Sequence, residues 1–111
     1  PPVYHYVAAT NKVEEILIEG LPLGGLKEEH FDSITRSFNT GDIIIQLSDG
    51  LPEAPNLTGE MYDYERLRLL IEDNGHKTAQ GIIDALMASV DEWLQGQHNP
   101  DDITLVVIKK K

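Results

Sequence analysis

Two short apolar runs constrain this chain more than anything else in it. Asp42 to Ser48 (Asp-Ile-Ile-Ile-Gln-Leu-Ser) and Ile103 to Ile108 (Ile-Thr-Leu-Val-Val-Ile) are apolar on both faces, the pattern of strands covered on each side. They are expected at the centre of one sheet. Each run is bordered by aspartate: Asp49-Gly50 follows the first and Asp101-Asp102 precedes the second. If the two strands are antiparallel neighbours, the end of one meets the start of the other, and the acids share a sheet edge across about fifty residues of sequence.

The remaining elements fill in around that pair. Val3 to Val7 and Val13 to Ile18 read as a hairpin turning at Asn11-Lys12, and Asp32 to Phe38 alternates well enough for a half-buried strand. Gly20 to Gly25 lacks the lysine and spacing of a phosphate loop and reads as an irregular connection. Between the apolar runs lie two amphipathic helices. The first spans about Glu60 to Glu72, with Tyr64, Leu67, Leu70 and Ile71 on one side. In the second, Ile82, Ile83, Leu86, Met87, Val90, Trp93 and Leu94 recur at helical spacing, Thr78 can cap the start and Gly96 can end it. The expected architecture is an α/β sandwich fragment of the α+β kind: roughly five strands, mainly antiparallel, with two helices on one face.

Composition narrows the function. A formal net charge of -10 repels the phosphates of nucleic acids and anionic membrane surfaces alike, so neither is an expected partner. Without cysteine there is no disulfide framework, thiol nucleophile or zinc-thiolate site, which fits the cytoplasm. No apolar run approaches the roughly 18 residues of a membrane span. The start at Pro1-Pro2, without methionine and straight into a strand pattern, suggests a piece of a longer polypeptide, whose upstream region is free to carry a membrane anchor.

The chemistry rests on the carboxylates. Close like charges are costly unless a cation or proton compensates, and hard oxygen donors favour magnesium, manganese or calcium over zinc. Taken singly, Asp-Gly is a common turn and Asp before a strand a common loop cap; only the pairing points to a site. His5, His30, His76 and His98 show no metal-ligand spacing, and Ser48 is in no Gly-x-Ser-x-Gly elbow.

Two longer segments carry a family resemblance. Gly41 to Asn56 (Gly-Asp-Ile-Ile-Ile-Gln-Leu-Ser-Asp-Gly-Leu-Pro-Glu-Ala-Pro-Asn) and Pro100 to Val107 (Pro-Asp-Asp-Ile-Thr-Leu-Val-Val) resemble the "G-D, apolar strand, T/S-D-G-L, E-A-x-N" and "D-D-I-T, apolar strand" motifs of the SpoIIE-like bacterial metal-dependent (PPM, type 2C-like) serine/threonine phosphatases. Gly20 to Gly24, Gly59-Glu60-Met61 and Glu65-Arg66-Leu67 match in order as well. The resemblance implies that residues 1–111 are the C-terminal part of such a domain, half of an αββα sandwich whose second sheet would cover the other face. It implies that Asp49 and Asp101 ligate metal in a two-ion Mn2+ or Mg2+ centre, with Asp102 and Gly50 beside them and Glu53 and Asn56 shaping the loop. The implied reaction is hydrolysis of phosphoserine or phosphothreonine by metal-activated water, and the implied substrate a phosphorylated regulatory protein of the anti-anti-sigma type.

Departures matter too. Tyr62-Asp63 stands where the family usually has Phe-Gly, and the upstream Asp-x-x-Gly-His-Gly type motif that completes the metal site occurs nowhere; Asn74-Gly75-His76 does not replace it. The fragment alone is therefore expected to bind metal weakly and to be inactive. A degenerate, non-catalytic module that binds a regulatory partner is the alternative, and a single structural cation a third. Since both apolar runs want cover on two faces, the uncovered face is also a candidate surface for homodimerisation.

Overall fold

The computed structural model describes residues 2–16 and 36–111. Four strands, β1 (Val3–Val7), β2 (Lys12–Ile16), β3 (Ile43–Leu47) and β4 (Leu105–Lys109), form an antiparallel sheet in the order β2-β1-β3-β4. Helices α1 (Tyr64–Asn74) and α2 (Ala79–Leu94) run between β3 and β4 in sequence. None is long and apolar enough to cross a membrane among the described residues.

The hairpin forms as expected: Val7 pairs with Lys12, and Asn11 takes the left-handed conformation (φ 55°) that closes the turn. Alternation along β1 then sends Tyr4 and Tyr6 toward the helices and His5 to the opposite face. Tyr4, Ile43 and Ile45 are fully enclosed with Leu67 and Ile71 of α1 and with Ile82, Leu86 and Val90 of α2. Each such side chain contributes about 1.5–3 kcal/mol of burial free energy. Helix α2 starts at the expected cap, where Thr78 Oγ1 accepts from the Gly81 N–H at 3.1 Å, and ends with Gln95 and Gly96 both at positive φ.

The helices are pinned at both sheet edges. Glu72 of α1 accepts from the Val13 N–H at 2.9 Å on β2, and Lys109 Nζ of β4 donates to the carbonyls of Gly75 and Lys77 between the helices. Gly75 packs against the ring of Tyr6, where an added Cβ would lie 2.2 Å from Cζ, so the Asn74-Gly75-His76 segment serves packing.

Three expectations change. First, among the described residues β4 is an edge strand and β1 shares the centre with β3. Apolar residues on both faces of the Ile103 to Ile108 run do not mean cover on both faces, because Val106 and Ile108 are 46% and 54% exposed on the side away from the helices. Second, the described residues hold four strands. Arg36 to Phe38 has no regular structure, while the rest of the expected Asp32 to Phe38 strand, the Gly20 to Gly25 connection and Leu17-Ile18 fall outside the described residues. Third, α1 begins at Tyr64, four residues beyond the expected start. Tyr62 N–H and Asp63 N–H donate to the carbonyls of Ala54 and Pro52, which holds the preceding segment as an extended return against the loop after β3.

Candidate metal centre

The site sits at the sheet end where β3 finishes and β4 starts, which the antiparallel pairing of Leu47 with Leu105 brings together. Beyond that last pair the two segments remain bonded. The Ser48 N–H donates to the Thr104 carbonyl at 2.9 Å, Ser48 Oγ donates to the Asp102 carbonyl at 3.2 Å, and the Thr104 N–H donates back to Ser48 Oγ at 2.8 Å. Asn99 adds a further tie, its side-chain N–H donating to the Gly50 carbonyl at 2.9 Å, while its Oδ1 accepts from the Asp101 N–H.

Gly50 shows how tight this approach is. A Cβ there would fall 2.2 Å from the Asp102 carbonyl oxygen and 3.3 Å from that of Asp101, so only glycine lets the two loops meet. Gly50 is buried, whereas Asp49, Asp101 and Asp102 are exposed. The chain thus buries the backbone weld and turns acidic residues outward beside it.

The loop after Asp49 is turn-rich. Glu53 N–H donates to the Asp49 carbonyl at 3.0 Å, with the Glu53 side chain exposed. Asn56 is taken up elsewhere: its Oδ1 accepts from the N–H groups of Thr58 and Glu60 and from the Thr58 hydroxyl, organising the turn before α1. Tyr64, the first residue of α1, reports the charge at this end. Burial first, then the carboxylates of Asp49, Glu53, Asp63 and Glu15, push its hydroxyl pKa up. Tyr4 below it is raised too, by burial first and then by Glu15, Tyr64 and Asp63, and its hydroxyl has no hydrogen-bond partner among the described residues.

In kind, these donors suit a hard divalent cation. In number they do not complete a site: among the described residues no group of three or more His, Cys, Asp or Glu side chains is arranged to hold a metal ion. Sequence reading missed Asn99 and the Ser48 hydroxyl, which build the backbone of this end. The Asn-Pro dipeptide before Asp101 was the available signal for a turn there.

Over residues 1–111 the sequence matches the family Stage II sporulation protein E (SpoIIE). The chain belongs to the SpoIIE family. It is 30% identical over 106 residues to stage II sporulation protein E of Bacillus subtilis (strain 168), spanning 94% of this chain and 12% of that protein. It is 27% identical over 110 residues to the phosphoserine phosphatase RsbU of the same organism, spanning 99% of this chain and 32% of that protein. Among solved structures, the SiaA-PP2C domain of Pseudomonas aeruginosa superimposes with a TM-score of 0.80 at 18% identity, covering 99% of this chain and 43% of that one, a likeness of fold. The SpoIIE phosphatase domain of Bacillus subtilis, in a crystal form without domain swapping, gives 0.67 at 28% identity over 97% of this chain and 45% of that one. This SpoIIE-family chain is accordingly part of a PP2C-type phosphatase domain, and it spans less than half of the solved relatives and a third or less of the curated ones.

Proposed function

We propose that the chain is the C-terminal part of a metal-dependent protein serine/threonine phosphatase domain, with Asp49 and Asp101 as metal ligands. The observation that carries this reading is the contact of Gly50 with the Asp102 carbonyl, which joins the two motif-bearing loops at one sheet end inside a SpoIIE-family fold. Asp102 stands beside the ligands, Gly50 permits the contact, and Glu53 and Asn56 shape the loop. Manganese or magnesium ions, completed by ligands from the rest of the domain, would acidify the attacking water and neutralise phosphoryl oxygens. The chain's own part is to hold two carboxylates on a rigid sheet edge, the positioning on which phosphoryl transfer depends. The substrate class is a phosphoserine or phosphothreonine in a regulatory protein of the anti-anti-sigma type, and the setting is the cytoplasm. That RsbU is a phosphoserine phosphatase supports the phosphoester chemistry.

The incomplete donor set favours a second reading, a degenerate domain that binds a regulatory partner without hydrolysing it. One assay separates them. The whole protein with Mn2+ is expected to release phosphate from a phosphoserine peptide, and Asp49→Asn or Asp101→Asn to abolish release while leaving the fold intact. Folded protein that releases nothing under any divalent ion establishes the binding module. The 111-residue chain alone is expected to be inactive, and manganese-dependent turnover by it would show the remaining ligands to be dispensable.

A further inference from the structure

The groove between α1 and α2 is lined by both helices and by Asn56 and Tyr62 from the segment that precedes α1. It encloses about 550 Å³, within the range of sites that hold a ligand or an anchoring side chain. Its floor is Trp93, whose indole N–H donates to the Ala54 and Glu60 carbonyls and so fixes the ring. Arg66 stacks over that ring, 4.2 Å from its centre, and Tyr62 meets it edge-on, with the Tyr62 hydroxyl bonded to Ser89. Leu69, 48% exposed, lines the same groove and presents apolar surface to water.

Two carboxylates stand on the rim, Asp73 from α1 and Glu92 from α2. Neither has a hydrogen bond or ion pair among the described residues, in contrast to Glu65 and Glu72, which pair with Arg68 on α1. Arg66 stacks on Trp93 and keeps its charge, so the lining holds one cation against two carboxylates and its balance is negative. A fixed Trp-Arg-Tyr cluster flanked by exposed leucine is the composition of an interface hot spot. The acidic rim and the net charge of -10 favour a cationic occupant and disfavour a second copy of this chain.

We propose that this groove docks a partner protein through a segment carrying a large apolar side chain flanked by lysine or arginine. The apolar residue seats against Leu69 and Trp93, and the cations pair with Asp73 and Glu92. This does not rest on the phosphatase reading: Leu69, Asp73, Glu92 and Trp93, which carry it, are not among the proposed metal ligands, although Asn56 of the loop after Asp49 lines the groove as well.

Trp93 is the sole tryptophan of the chain, so its fluorescence reports on this groove directly. The probe is a synthetic amphipathic helical peptide with leucines on one face and lysines beside them, set against a scrambled peptide of the same composition. Saturable change in Trp93 emission with the patterned peptide, at least about tenfold weaker for the scrambled one, is expected. The double variant Asp73→Lys/Glu92→Lys should weaken binding about tenfold, and Leu69→Glu should do likewise. The control Asp84→Lys/Asp91→Lys, on α2 outside the groove, changes the net charge of the chain to the same extent and should leave binding unchanged, with circular dichroism confirming that all variants fold. Equal weakening by groove and control variants, equal binding of the scrambled peptide, or no change in emission would overturn the proposal. So would light scattering that shows the groove variants dissolving a self-associated species.

Discussion

Gly50 and Asp102, fifty-two positions apart, meet so closely that the Asp102 carbonyl oxygen would lie 2.2 Å from any Cβ at position 50. The contact welds the end of β3 to the approach to β4. Gly50→Ala must therefore push the loops apart. Overpacking of this kind costs about 2 kcal/mol, to be read from the urea midpoint. On the proposed ligand assignment, the same variant in the whole protein should also lose manganese affinity, because Asp49 and Asp101 ride on the displaced segments. Unchanged stability would show that the approach is loose.

A second long-range pair controls acid stability. His5 Nε2 and Asp42 Oδ2 are 2.9 Å apart and both buried, and Arg36 Nε donates to His5 Nδ1. Burial alone would raise the Asp42 carboxyl, but hydrogen bonds from the Ala8 N–H, His5 and the Asn39 N–H outweigh it and hold its pKa below the ordinary 3.8. A depressed folded pKa stabilises above the unfolded value and loses that contribution as pH falls through the folded one. Stability should thus decline below about pH 4, and Asp42→Asn, which weakens the buried hydrogen bonds this carboxylate accepts, should cost about 2 kcal/mol at neutral pH and flatten the acid limb. Denaturant titrations between pH 7 and pH 3 decide it, and an unaltered acid limb in the variant would count against this assignment.

Asp63 sits at φ 74°, ψ 159°, in a region that glycine alone adopts without strain, and among the described residues its side chain accepts only from the adjacent Tyr64 N–H. It occupies the position where the family usually has glycine. Asp63→Gly should therefore stabilise the chain by about 1 kcal/mol, the relief of strain exceeding the loss of a poor cap. A lower thermal midpoint in the variant would mean that the cap contributes more than the strain costs.

The sheet face away from the helices exposes Val106 and Ile108 on an edge strand, the kind of surface that pairs with other chains. The isolated chain is expected to self-associate through it in light scattering, and Val106→Lys/Ile108→Lys to return it to a monomer. A wild-type chain that stays monomeric at high concentration would rule this surface out as a contact.

Local pattern was enough for much of this protein. The β1–β2 hairpin, the Thr78 cap and the buried stripe of α2 follow from side-chain periodicity and turn chemistry, which act between residues a few positions apart. The ordered motifs likewise pointed to the family, since Asp49-Gly50 and Asp101-Asp102 are each bound to their own strand. What sequence could not assign was cover: Val106 and Ile108 are as apolar as the enclosed Ile43 and Ile45, and only the strand order shows that the former lie exposed at an edge. Nor does any local signal link Asn99 to the Gly50 carbonyl or Asp42 to His5, because hydrogen bonds across about forty to fifty residues exist only once the antiparallel register is set. Identity and element type were local properties; edge, exposure and the joining of the two acidic loops were decided by tertiary pairing, where one strand's end is placed beside another's beginning.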